Sequence, residues 1–274
     1  MPIMTSQQIN NYFDHFKDSE ITFTKEVIRA TGLQPKLVFL KSAGYHIPCI
    51  VYSVSMTSAK VIANISSDIH EQIRSANNLV SLRFAFHEND KIDPLMFFVS
   101  ARVTGYNPYN SEKPNLNFIA IEFTQRPPDD LIAVLGQIFE AKAISQKRKE
   151  ERIIINADSV KKLGIKTKSA NVYIQGVPRT CIIRDLSFSG AKVILAGVAK
   201  FLLNKEASVH IDTIEKGQIE IHGKIVRNEE VEGRKDLVAI AIFFEQETTP
   251  IEYKMTLNEY FKQKKHKPSE LNSA

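Results

Sequence analysis

The feature that most restricts the fold is a repetition. Shifted by 132 residues, the segment CIVYSVSMTSAKVIA that begins at Cys49 falls on CIIRDLSFSGAKVIL, which begins at Cys181, and seven of the fifteen positions are identical. The identities are Cys49/Cys181, Ile50/Ile182, Ser55/Ser187, Ala59/Ala191, Lys60/Lys192, Val61/Val193 and Ile62/Ile194. Period-two alternation puts most of them on the core side of a strand. Downstream, an apolar run over 116–123 precedes Pro127-Pro128 and an apolar-periodic helix, while a run over 237–244 precedes Thr248-Thr249-Pro250 and a second such segment. Two copies of one domain are therefore expected. A length of 274 residues lets each bury its own core.

Both halves are rich in short strand signals, at 36–39, 45–53, 60–65, 79–86, 96–103 and 116–123, then at 152–156, 170–174, 180–186, 191–195, 207–213, 218–227 and 237–244. Closing about six such strands on themselves removes the unpaired edges that promote aggregation. The expected fold class is mainly β, with two tandem six-stranded barrels joined by a helix and a basic linker. That helix opens at Asp129-Asp130, where the dipole favours negative charge, and reaches about residue 146 with Ile132, Leu135, Ile138 and Phe139 on one face.

Composition excludes several classes. The chain is 43% apolar and 24% charged, and no apolar run approaches the roughly 18 residues of a membrane span. Its first residues lack the basic and apolar regions of an export signal, so the cytoplasm is the expected location. Cys49 and Cys181 sit in apolar strand-like runs without metal-ligand spacing and read as small core residues. His46, His70, His87, His210, His222 and His266 stand at neither catalytic nor metal spacing, and no phosphate-binding glycine loop is present. No catalytic residue, metal site or cofactor is expected.

The formal charge is +5, and its distribution is more informative than its size. Basic residues crowd Lys142, Lys147, Arg148, Lys149 and Arg152, then Lys161, Lys162, Lys166 and Lys168, and again Lys262, Lys264, Lys265 and Lys267. The first group contains Arg148-x-x-x-Arg152 at the junction between the halves. Some thirty residues later Asp185-x-Ser187-x-x-Gly190 ends an apolar strand. A guanidinium is planar, permanently charged and forked, matching the O6 and N7 edge of guanine and the oxygens of phosphate. Four residues apart, two arginines share a face of a helix and a side of a strand, which predicts that they converge. A carboxylate at 185 can accept from guanine N1 and N2, a hydroxyl at 187 can meet phosphate or ribose, and Gly190 permits a turn or close approach. Each motif has a plainer reading: Arg-x-x-x-Arg with Glu150-Glu151 between is also a solvated helix face, and Asp-x-Ser-x-x-Gly is also a strand-to-turn connection.

Taken together, these motifs resemble those of the PilZ domain, the bacterial receptor module for cyclic di-GMP, over roughly 147–247. R-x-x-x-R before a six-stranded barrel and [D/N]-x-S-x-x-G on a following strand are both complete here, and Gly223-Lys224-Ile225-Val226-Arg227 and the run 237–244 are similar to later strands of the family. The resemblance implies a non-enzymatic receptor in which Arg148 and Arg152 contact guanines and phosphates while Asp185, Ser187 and Gly190 form the opposite wall. It assigns Lys147, just before the first arginine, an influence on whether one or two ligand molecules bind. In the first copy Asp185 is answered by Ser53, Gly190 by Ser58, Arg148 by Phe16 and Arg152 by Glu20, so that copy is a degenerate PilZ-like domain, as in receptors of the YcgR type and spirochaete two-domain proteins.

The implied organisation is a degenerate domain over 1–128, a connecting helix and linker over 129–147, a PilZ domain with a C-terminal helix over 148–262, and a basic polar tail over 263–274. With the arginines on the linker, ligand is expected to draw that linker onto the barrel, change the arrangement of the domains and so signal to a downstream protein of the motility, envelope or virulence machinery. The alternative is a nucleic-acid-binding protein that uses the basic linker and tail.

Overall fold

Thirteen of the strand signals fold as strands or as parts of them in the computed structural model, which describes residues 4–87, 92–110, 113, 115–197, 202–215 and 217–265. The chain divides into two compact units, Met1–Glu140 and Ala141–Ala274. The first contains α1 (Ser6–His15), β1 (Glu20–Thr22), α2 (Lys25–Thr31), β2 (Phe39–Ser42), β3 (Tyr45–Ser55), β4 (Ser58–Asn64), α3 (Ser67–Ser75), β5 (Leu79–Phe86), β6 (Leu95–Pro108) and β7 (Leu116–Phe123). Helix α4 (Asp129–Lys147) runs from the first unit into the second. There follow β8 (Ile153–Ile154), α5 (Ala157–Lys162), β9 (Ser169–Ile174), β10 (Val177–Ser187), β11 (Gly190–Ala196), β12 (Glu206–Asp212), β13 (Gln218–Val231), β14 (Arg234–Phe244) and α6 (Ile251–Lys265).

Each unit is an antiparallel barrel of six strands. In the first the order β3-β2-β5-β6-β7-β4 closes through β3–β4, with β1 added outside on β3; in the second β10-β9-β12-β13-β14-β11 closes through β10–β11, with β8 added on β10. Every edge of the six is thereby paired. In β3 and β10 buried and exposed residues alternate, and Val51, Val61, Leu82, Ile119 and Ile121 fill the first interior while Val172, Ile183, Val193, Val209, Ile221 and Ile240 fill the second. Cys49 and Cys181 are buried, and desolvation pushes their thiols up to about 12 and about 11, leaving them unreactive.

The 132-residue repeat extends well beyond the segment that reveals it. Cys49↔Ala63, Ile50↔Ile62 and Val51↔Val61 become Cys181↔Leu195, Ile182↔Ile194 and Ile183↔Val193, and both ladders then bulge at one residue, Tyr52 in β3 and Arg184 in β10. The β2–β3 turn, Ala43-Gly44, and the β9–β10 turn, Gln175-Gly176, both have positive φ at their two residues, as a type I′ hairpin needs. Thr24 caps α2 and Asn156 caps α5, and each helix is followed by a left-handed glycine, Gly32 and Gly164.

Some expectations are corrected. Residues 35–37 form a 3-10 turn rather than the start of a strand, because Pro35 fixes φ and supplies no donor. The segment expected as a strand over 152–156 pairs only through Ile153–Ile154, since Asn156 turns into the cap of α5. Ile50 and Ile182 face outward at 57% and 51% exposure, not into the core. Helix α6 continues through Lys265, into the expected tail; His266, Lys267 and the remainder of the tail lie outside the described residues. No described helix is long and apolar enough to cross a membrane.

The cap of α5 is a test of local stability. Asn156 accepts from the Ser159 amide at 2.9 Å, and Ser159 Oγ accepts from the Asn156 amide at 2.8 Å. Asn156→Ala is expected to cost about 1 kcal/mol, read in calorimetry as a fall of about 4 °C in the Tm of the second unit.

Candidate functional site

The outer wall of the second barrel is organised by the bulge at Arg184. Two residues there oppose one on β11, so Arg184 and Asp185 both face outward between the buried Ile183 and Leu186. From Asp185 the register runs to Lys192 on β11 and then to Ala241 on β14, one row of outward side chains. On the other side Asp185 is paired with Ile154 of β8. The chain after α4 is thus laid beside the Asp-x-Ser-x-x-Gly strand. Leu186 pairs with Ile153, the Ile155 amide donates to the Arg184 carbonyl at 2.9 Å, and the Ser189 amide donates to the Lys149 carbonyl at 3.2 Å.

These backbone bonds leave little for a ligand to do in drawing the segment onto the barrel; what remains exchangeable is the side-chain partners. Arg152 forms an ion pair with Asp185, the guanidinium 43% and the carboxylate 17% exposed. Arg148 donates from Nη1 to Glu151 Oε2 at 3.1 Å and lies over the Phe261 ring, 5.1 Å from its centre. The two arginines therefore engage different carboxylates instead of converging, because α4 ends between them: Arg148 still bonds back to Ile144 in the last helical turn, whereas Arg152 lies beyond the helix, directly before β8. Lys147, the last residue of α4, is exposed.

The turn from β10 to β11 is built inward. Ser187 is fully buried, its hydroxyl donating to the Gly190 carbonyl at 3.1 Å and lying 3.3 Å from Ser189 Oγ, so it shapes the turn. Gly190 is required by close packing: a Cβ there would sit 2.3 Å from the Ile242 carbonyl oxygen. Gly223 meets the same constraint against the Phe243 carbonyl oxygen at 2.2 Å. From α6, Tyr253 donates its buried hydroxyl to the Ser187 carbonyl at 2.8 Å, and Phe261 packs on Phe188 with ring centres 5.9 Å apart.

Tyr253 and Phe261 are not marked by any motif of the sequence. They act across long stretches of chain, as in the Tyr253–Ser187 bond with its separation of 66, and no local spacing marks them. The only available signal was the apolar-periodic segment after Pro250.

In the first barrel the same positions carry other chemistry. Glu20 stands for Arg152, Ser53 for Asp185 and Lys60 for Lys192; Ser53 donates to Glu20, and Lys60 lies 3.2 Å from the same carboxylate. The Ser53 hydrogen bond, with Lys60 adding to it, holds the Glu20 carboxyl below its ordinary range. Phe16, which stands for Arg148, packs on Phe139 at 5.5 Å as Arg148 packs on Phe261. Elsewhere His210 and His222 both meet Glu220 at 3.3 Å, yet among the described residues no group of three or more His, Cys, Asp or Glu is placed to hold a metal ion.

Comparison with known proteins agrees with this layout. The PilZN3 domain model matches residues 7–142 and the PilZ domain model matches residues 146–263, so both motifs fall inside the second. The chain belongs to the PilZ family. A Treponema denticola protein named cyclic di-GMP binding protein is 45% identical over 262 residues, covering 95% of this chain and 83% of its own. Among solved structures, Borreliella burgdorferi PlzA in complex with c-di-GMP is similar at 26% identity and a TM-score of 0.42, over 93% of this chain and 99% of that one. The PilZ domain of Escherichia coli YcgR with c-di-GMP is similar at 12% identity and a TM-score of 0.30, over 44% of this chain and 94% of that one.

Tyr253 ties the α6 helix to the motif turn, and its removal is measurable. Burial pushes its hydroxyl well above the ordinary value near 10, with Asp185 adding to the shift and Arg152 opposing it. The fold thus favours the protonated phenol. The stability this gives is complete below about pH 10 and is lost as pH rises beyond it, when the unfolded chain ionises first. Tyr253→Phe leaves the Ser187 carbonyl without this donor, with an expected cost of about 1 to 2 kcal/mol at pH 8. In denaturant titrations between pH 8 and 11 the variant should also lose stability less steeply than the parent.

Proposed function

We propose that this PilZ-family protein is a receptor for cyclic di-GMP, a binding protein and not an enzyme, with its site on the outer wall of the second barrel. One observation carries the reading: the Arg148–Arg152 segment is bonded through its backbone against the Asp185–Gly190 strand and turn, bringing the two halves of the signature together. Family membership and the name of the Treponema denticola relative support the choice of ligand. Arg148 and Arg152 grip guanine edges and phosphates, Asp185 takes the guanine N1 and N2 hydrogens, Ser187 and Gly190 hold the turn behind them, and Lys147 adds charge beside Arg148.

The present partners of the arginines are exchangeable. Arg152 and Glu151 are each more than 40% exposed, and solvent screening on that side keeps the Arg152–Asp185 and Arg148–Glu151 pairs to about 1 kcal/mol each. A bidentate guanine contact contributes about 1 to 3 kcal/mol, so ligand wins the exchange. Since Arg148 directly follows α4, which belongs to both units by sequence, a change at the site is transmitted along that helix and alters how the units are arranged for a downstream protein.

Calorimetric titration tests the site. Arg148→Ala and Arg152→Ala should each weaken cyclic di-GMP binding about tenfold to a hundredfold, while Ser53→Ala in the first barrel leaves it unchanged. Parent-like affinity in both arginine variants would mean that the wall chosen is wrong. GTP, GMP and cyclic di-AMP should not bind, and steep loss with salt toward any polyanion would favour a nucleic-acid partner instead. Small-angle scattering with and without ligand should differ if the arrangement of the units responds.

A further inference from the structure

Across from Gly190 on the β11–β14 ladder stands Phe243, a large apolar side chain that is 43% exposed on the outside of the barrel. It lies two residues beyond Ala241, hence on the same outer face as the row Asp185–Lys192–Ala241. Opposite the ring, Gly190 has no side chain and the Ile242 carbonyl oxygen leaves no room for one, and the glycine is itself buried. The ring is not packed into the core. The ring is 43% exposed and its face carries the Lys149 ammonium, 5.7 Å from the ring centre, a partner that a flat base can replace at a point bordering the signature segment.

We propose that Phe243 is the platform on which one guanine base of the ligand stacks, a contact outside the signature motif; this rests on the receptor function proposed above. A flat base that takes the place of the Lys149 ammonium on this ring leaves that ammonium for the phosphodiester, while Arg152 and Asp185 read the edges. The competing explanation is that Phe243 only covers a glycine in the strand opposite, as aromatic residues do.

Three variants separate these roles. Phe243→Leu keeps apolar cover but removes the π face, so it should unfold at a temperature close to that of the parent and bind cyclic di-GMP about tenfold or more weakly. The chain contains no tryptophan, so Phe243→Trp places a single indole at the platform. It should bind at least as well as the parent, and its fluorescence should be quenched by ligand with the midpoint found by calorimetry. Parent-like affinity in Phe243→Leu, or indole emission untouched at saturating ligand, overturns the platform. Arg152→Ala, run alongside, keeps the two levels distinct: loss of binding in it together with a parent-like Phe243→Leu rejects the platform and retains the receptor, whereas parent-like binding in Arg152→Ala rejects both.

Discussion

One extra residue in the closing ladder of each barrel, Tyr52 in the first and Arg184 in the second, sets what the outer wall presents. Without that bulge, strict alternation from Ile183 would turn residue 185 inward, where a carboxylate would be buried at great cost, and Leu186 outward. With it, Asp185 faces Arg152 across β8, and the register continues to Lys192 and Ala241. The same irregularity in the first barrel turns Ser53 toward Glu20. Both units thus share one backbone device and differ in what hangs from it.

The difference is one of charge and shape. At the place of Arg152–Asp185 the first unit has a carboxylate satisfied by a hydroxyl and a lysine, an arrangement that offers an anion no free cation of its own. At the place of Arg148 it has Phe16, which turns the clasp on Phe139 into an apolar contact between two rings. A guanidinium on an aromatic face is held weakly enough to leave, whereas a ring packed on a ring belongs to a core. Where the second copy has a charged clasp, the first has an apolar one.

Much of this was legible in the chain itself. The alternating strands, the tandem design and the two halves of the signature follow from periodicity and spacing. The identities are dense only over 49–62 and 181–194, yet the repeat spans Glu20/Arg152 to Ala63/Leu195. Beyond the dense segment it is kept by role rather than by residue: Thr24 and Asn156 are different caps, and Ala43-Gly44 and Gln175-Gly176 are different sequences for one turn. Where each arginine points was not legible, because the end of α4 falls between them and because Glu151 and Phe261 compete for Arg148. The partnership of Tyr253 with Ser187 depends on closure of the barrel and leaves no trace in local pattern.

Helix α4 does two jobs at once. Its early part supplies Phe139 against Phe16 and Glu140 to the Tyr12 hydroxyl at 2.7 Å, as the terminal helix α6 supplies Phe261 against Arg148; its late part, with Ile144 on the second core, stands where α1 stands in the first copy. The last stave of one cask is the first of the next. Neither copy can be excised whole: a cut anywhere in this shared element takes contacts from one core or from the other.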